Sequence, residues 1–279
     1  MLDDLFERAG ELGRIDGLLD GARAGTGGVL VVTGPAGIGK SSLLSEARER
    51  AGLAGMRVLS GRGGELEGGF SFGVARQLFE PLLAAAGAER AALLAGAARR
   101  APTAMEDAAG AAPSAAAVGD PPFAVVHGLY WLAVNASEAG PVLVAIDDLH
   151  WADQASLRFV LYLADRLAGL PVALLLAGRT GEVMAAEAAD CLARLEQIAG
   201  SVVSPGALSR DAVQAPLSGA FGTAPGEEFV RRCISSALVA AGAPHSRSRS
   251  RPKTPATRCE WQTVNSKQHD ATDRSVRPG

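Results

Sequence analysis

Eight consecutive residues carry the chemistry that is easiest to name. Gly34, Pro35, Ala36, Gly37, Ile38, Gly39, Lys40 and Ser41 have the spacing G-x-x-x-x-G-K-S, which is that of a phosphate-binding loop. Glycines let the backbone wrap with its N–H groups turned inward, which makes a concavity for an anion. The helix that follows adds the partial positive charge of its N-terminus. Lys40 reaches the outer phosphates in such a loop, and the Ser41 hydroxyl ligates Mg²⁺. Ser42, the next residue, belongs to the same expected cradle.

Composition adds weight to Lys40. The chain has 27 Lys+Arg, but its only lysines are Lys40, Lys253 and Lys267. A chain that otherwise uses arginine has put an ammonium here. A compact charge on a flexible stem suits a phosphate chain in a narrow loop better than a planar guanidinium does.

A second group lies further along. The apolar run Val142-Leu143-Val144-Ala145-Ile146 closes in Asp147-Asp148, and the run Val172 to Ala177 closes in Gly178-Arg179. Asp147 is expected to hold Mg²⁺ beside Ser41, through water. Asp148 is expected to orient or deprotonate an attacking water. Arg179 has two readings: a contact that senses the last phosphate, or an ordinary salt bridge. His150 and His127 have no partner at metal-ligand spacing, so packing is expected for both. Trp151 is expected in the core.

These groups must sit at strand ends to meet, and the pattern supplies the strands. Val29 to Thr33 precedes the loop, Met56 to Ser60 reads as a second strand, and 141–146 and 172–177 read as buried ones. Ser201 to Ser204 is a short fifth strand. Helical patterns fall between them. One carries Leu12, Ile15, Leu18, Leu19 and Ala22, and one carries Leu43, Leu44, Ala47 and Ala51 up to a stop at Gly52. A helix from about Phe72 should kink or break at Pro81, and another should span Glu89 to Arg100. Gly61 to Gly69 and Ala101 to Gly119 read as loops. Asp120 and the prolines after it open an apolar helix, Phe123 to Ala139, that looks buried on more than one side. Asp153 caps the helix with Leu157, Val160, Leu161, Ala164 and Leu167, and a last helix covers about 185–199. Strands alternating with helices predict an α/β protein, a three-layer sandwich around a parallel five-stranded sheet.

The totals bound the rest. The 279 residues are 48% hydrophobic and 20% charged, an ordinary globular balance. Formal net charge is −3. From Ala241 onward there are eight basic and three acidic residues, so an acidic body precedes a basic, proline-broken tail that cannot bury a core. Cys191, Cys233 and Cys259 form no C-x-x-C pair, which argues against a disulfide framework or a zinc site. The first residues lack the basic and apolar regions of a signal peptide, and no apolar run approaches a membrane span. A cytoplasmic protein is expected. The division expected is a nucleotide-binding core over 1–206, a partial helical lid over 207–240 and a disordered basic tail over 241–279.

With the loop G-P-A-G-I-G-K-S, the string Asp147-Asp148-Leu149-His150-Trp151-Ala152-Asp153 resembles the ATPase module of large actinobacterial LuxR-type regulators. Those are STAND-class relatives of AAA ATPases, in the group of origin-recognition-complex-like AAA domains with the P-loop NTPase fold. Glu7-Arg8…Glu11-Leu12, the stretch Phe72 to Leu83 and the stretch His127 to Leu132 carry the same resemblance, which runs from about Leu2 to Cys233. It implies ATP with Mg²⁺, slow hydrolysis, a conformational switch, and Arg8 near the adenine end. It also implies partners: self-association or another protein, with DNA reached only through a further C-terminal domain. Past Cys233 the family's lid motif, helical repeats and helix-turn-helix are not matched, so a truncation or frameshift is expected there. Two further readings stand beside the ATP switch. One is a DNA-binding regulator acting through the basic tail; the other is an inactive truncated fragment.

Overall fold

Alternation along the central strands sorts the core into two layers. The computed structural model describes residues 7–65, 71–102, 123–180, 185–210, 212 and 226. Five strands form one sheet: β1 (Gly28–Gly34), β2 (Arg57–Arg62), β3 (Val142–Asp147), β4 (Val172–Arg179) and β5 (Val202–Val203). Their order is β2-β3-β4-β1-β5, and every pairing is parallel. Helices α1 (Ala9–Arg23) and α2 (Lys40–Leu53) cover one face. There Leu30, Val32, Leu143, Ala145, Leu175 and Ala177 pack with Ile15, Leu19, Leu43 and Ala47. The intervening residues Val31, Val144, Ile146, Leu174 and Leu176 point to the other face. Helices α3 (Gly73–Ala85), α5 (Phe123–Glu138), α6 (Gln154–Ala164) and α7 (Ala186–Ala199) cover that face, with one helical turn α4 (Arg90–Leu93) between α3 and α5. Every residue from Val142 to Ile146 and from Val172 to Gly178 is buried. Two-sided burial is why these strands read as unbroken apolar runs rather than alternating ones. The expected three-layer sandwich with five parallel strands is the observed fold.

Several local expectations differ. Helix α3 runs on through Pro81. Leu78, Phe79 and Leu83 are buried on either side of the proline and anchor both halves to the core. The helix expected over Glu89 to Arg100 is instead a 3-10 turn (Gly87–Glu89), the α4 turn and a second 3-10 stretch (Gly96–Arg100). Ala95 between them is extended. The Asn135 side chain on α5 donates to the carbonyls of Ala92, Leu93 and Ala95, taking up acceptors that a continuous helix would have satisfied itself. Helix α2 passes Gly52 and ends at Leu53. Strand β2 continues to Arg62, into the expected loop, because Arg62 still pairs with Asp147.

Helix α5 is not buried all round. Phe123 and Trp131 are exposed, and the His127 ring stacks on Phe123 and is hydrogen-bonded to Trp131 Nε1 and Tyr162. Trp151 is half-buried. The loop expected over Ala101 to Gly119 falls outside the described residues from 103 onward, and the Asp120 cap does so entirely. The expected lid lies outside them except for 207–210, 212 and 226, and the expected tail lies wholly outside. No helix among the described residues is long and apolar enough to cross a membrane.

Candidate functional site

The strand register brings four chemical groups to one edge of the sheet. Gly34 is level with Arg179 across β1 and β4, and Arg62 is level with Asp147 across β2 and β3. All four lie at carboxyl ends of parallel strands, the edge where ligands of open α/β sheets sit. Strand β4 stands between β1 and β3. It therefore delivers Arg179 between the Gly34–Ser41 loop and the acidic pair.

The loop from Gly34 to Lys40 turns back on itself. Gly37 and Gly39 have φ of 76° and 100°, left-handed values that cost a side chain dearly and glycine little. Gly39 is the residue that caps α2, and the first intrahelical bond there is Leu43 N to Gly39 O at 3.1 Å. The N–H groups of the first turn precede that bond and have no acceptor within the helix. Lys40 is buried, and its Nζ donates to the carbonyls of Gly34 (2.9 Å) and Pro35 (2.8 Å). The ammonium is held inside the loop's own curve. Ser41 and Ser42 are exposed at the start of α2. The N–H groups at the start of α2, an ammonium and an exposed hydroxyl form a donor set that fits a phosphate chain. The Ser41 hydroxyl and the half-buried Asp147 carboxylate are hard oxygen ligands of the kind Mg²⁺ takes.

Asp148 sits at a strained corner. Its φ is 47° and ψ 44°, a left-handed conformation that aspartate tolerates better than most residues. Its N–H donates to the Asp147 carboxylate at 2.9 Å. Its own carboxylate is buried and flanked by two guanidinium groups. Arg62 donates to Oδ2 from Nε at 2.9 Å and from a terminal nitrogen at 2.6 Å. Arg179 Nε lies 3.7 Å from Oδ1. The hydrogen bonds from Arg62, then the Asp148 and Asp147 charges, push the Arg62 pKa further up. The salt-bridge reading of Arg179 thus describes a contact that is present. Arg62 was not among the residues singled out from the sequence. Its signal is its register opposite Asp147, and that cannot be read before β2 and β3 are known to be neighbours.

Gly63 was missed as well. Its N–H donates to the Asp147 carbonyl at 2.9 Å, and a Cβ there would run into the backbone of Asp148, Trp151 and Ala152. The residue after Arg62 must be small for the two loops to touch. Asp153 joins a third element. Its Oδ1 accepts from Ser156 N (2.9 Å), the expected cap of α6, and from Phe72 N (2.7 Å) at the start of α3. His150 is buried and stacks obliquely on Trp151 at 5.2 Å, which is the packing role expected of it.

Arg8 is buried ahead of α1. One terminal nitrogen donates to the carbonyls of Gly206 (2.7 Å) and Ile38 (3.2 Å), and the other to the Glu11 carboxylate at 3.2 Å. Its contact to the Gly34–Ser41 loop is thus through Ile38. Among the described residues no group of three or more His, Cys, Asp and Glu is disposed to hold a metal ion.

The ORC1 protein of Aeropyrum pernix, solved in complex with DNA, aligns at 15% identity and a TM-score of 0.48, covering 85% of this chain and 56% of that one. Cdc6p of Pyrobaculum aerophilum aligns at 14% identity and a TM-score of 0.47, covering 81% and 52%. An uncharacterized protein of Rhizobium meliloti (strain 1021) is 32% identical over 199 residues, which is 63% of this chain and 18% of that protein. The chain spans about half the length of the two solved relatives and under a fifth of the third. A family model described as the AAA ATPase domain matches residues 4–176; the chain belongs to that family.

Proposed function

We propose that the chain is an ATP-binding switch module that hydrolyses ATP slowly. The observation that carries the reading is the shared edge of the sheet. The Gly34–Ser41 loop, Asp147–Asp148 and Arg179 come from three separate strands, β1, β3 and β4, and leave the sheet at the same edge. A solvated turn after β3 would not need to coincide with a phosphate loop and a cation.

On this reading the loop N–H groups and Lys40 bind the phosphates, releasing Lys40 from the Gly34 and Pro35 carbonyls. Ser41 and Asp147 hold Mg²⁺, which when bound neutralises charge on the phosphates. Asp148 orients the attacking water and accepts its proton at the carboxylate. Arg179, now 3.7 Å from Asp148, moves its cation toward the last phosphate. The Arg62 pair keeps the Asp148 carboxylate occupied until then, which suits slow turnover. Arg8 braces the loop from behind.

The wider role in this reading is the nucleotide switch of a LuxR-type, STAND-class regulator in the cytoplasm, with 207–240 as part of its lid. Output through self-association, a protein partner or DNA would come from segments beyond the AAA domain. What supports it is the D-D-L-H-W-A-D string together with the AAA ATPase match over 4–176. The test is Mg-ATP binding and single-turnover hydrolysis by the purified chain. Micromolar binding with turnover on the scale of minutes supports the switch. Rapid multiple turnover contradicts it, and absence of binding contradicts nucleotide recognition altogether.

A further inference from the structure

We propose that Arg8 is a positioning residue that sets the orientation of the phosphate loop, acting through the Ile38 carbonyl rather than on the base. The inference rests on reading the loop as a phosphate cradle. Arg8 is only 6% exposed, yet its side chain lies against three separate segments. It donates to Ile38 O in the loop, to Gly206 O after β5 and to Glu11 on α1.

The contact to Ile38 bears on the loop's chemistry because a peptide unit is rigid. Its C=O and N–H point in opposite directions in a trans plane. The plane between Ile38 and Gly39 therefore has one setting with the carbonyl turned out to Arg8 and the Gly39 N–H turned the other way. A loop that cradles an anion needs its N–H groups turned inward and its carbonyls outward. Gly39 is also the position where the backbone is freest to choose otherwise, with φ at 100°. A charged donor on the Ile38 oxygen removes that freedom.

The brace has a fixed point to push against. Gly206 belongs to a segment held elsewhere too. Ser204 Oγ lies 3.2 Å from Thr33 Oγ1 at the end of β1, and Ser209 N donates to the Glu7 carboxylate at 2.8 Å. Arg8 and its neighbour thus tie the phosphate loop to the chain that leaves β5. Glu11 in turn holds the guanidinium at 3.2 Å with both side chains largely buried.

The test compares equilibrium binding of Mg-ATP with that of Mg-tripolyphosphate, which carries phosphates and no base. The chains are wild type, Arg8→Gln, Arg8→Lys and Glu11→Gln, each also melted without ligand. Loss of a charged hydrogen bond predicts that Arg8→Gln weakens both probes by the same factor, about tenfold. Arg8→Lys should recover part of that loss, since an ammonium can still reach one carbonyl. Glu11→Gln, which leaves Arg8 in place and keeps a carbonyl oxygen beside it, should weaken both probes about threefold. If Arg8→Gln does not fold, the Glu11→Gln ratio carries the test alone. A loss confined to ATP overturns the inference and makes Arg8 a reader of the base. Unchanged binding of both probes overturns it too and leaves the nucleotide reading intact. A wild-type chain that binds neither probe ends the nucleotide reading and this inference together.

Discussion

Arg62 holds the Asp148 carboxylate in a side-on grip, with Nε at 2.9 Å and a terminal nitrogen at 2.6 Å on the same oxygen. The Arg62 side chain is 66% exposed while that of Asp148 is 9% exposed. The pair is thus open to water on one side only. An exposed partner limits what the pair contributes to stability to about 1 kcal/mol or less. Its hold on the Asp148 carboxylate is the more useful readout. Arg62→Ala should raise the rate of ATP hydrolysis about threefold, leaving affinity unchanged, because the Asp148 carboxylate is freed from two hydrogen bonds that compete with the attacking water. Single-turnover phosphate release measures it. A fall in rate would mean that Arg62 is needed to hold Asp148 in place.

Asp148→Asn should separate binding from chemistry. Asparagine tolerates the left-handed backbone at this corner as aspartate does, so the loop geometry survives. The neutral amide cannot take a proton from water. Affinity for Mg-ATP should stay within about twofold, and hydrolysis should drop a hundredfold or more. Equilibrium binding and single-turnover rates on the same preparation check both halves. Unchanged hydrolysis would remove Asp148 from the chemistry.

Asp153 offers a stability prediction that is independent of nucleotide. Its carboxylate accepts from Ser156 N at the start of α6 and from Phe72 N at the start of α3, and the residue is buried. Asp153→Ala removes a helix cap and strands a second buried donor, a combined cost of about 3 kcal/mol. Chemical denaturation should show that loss, with Asp153→Asn recovering at least half. A cost under 1 kcal/mol would mean that water replaces both bonds.

Burial pushes the Cys191 thiol up from 9.0 to about 12. The folded chain keeps this proton more tightly than the unfolded chain does. The stabilising contribution is therefore fully present below pH 9 and is lost as pH rises from 9 toward 12. Cys191→Ala should flatten the fall in stability over that window. Thiol labelling of the native chain at pH 8 should be the same with and without Cys191, and after unfolding the wild type should label at one thiol more than Cys191→Ala does.

The sheet was legible in advance because its signals are local and redundant. Val142 to Ile146 and Val172 to Ala177 are each unbroken apolar runs that end in polar groups, and a strand buried on both faces leaves that trace. The turn from Gly34 to Lys40 was legible because the left-handed backbone at Gly37 and Gly39 dictates glycine at fixed spacing. What escaped depends on which strands are neighbours. Arg62 looked like one arginine in a glycine-rich loop until β2 paired with β3 and set it opposite Asp147. The break between Glu89 and Arg100 comes from Asn135, some forty residues away, taking the carbonyls at the break. The continuity through Pro81 comes from core contacts outweighing a local penalty. In each case a tertiary partner decided what the local pattern left open.

Lys40 is where the account can be tested most directly. Its Nζ now bonds two carbonyls of its own loop, Gly34 and Pro35, and the account requires it to leave them for phosphate. Titration calorimetry of Mg-ATP into the wild-type chain and into Lys40→Ala is the decisive measurement. The account predicts a saturable heat for the wild type and a loss of affinity of at least about a hundredfold for the variant, about 3 kcal/mol, with the fold intact by circular dichroism. Equal heats and affinities for the two chains would contradict it.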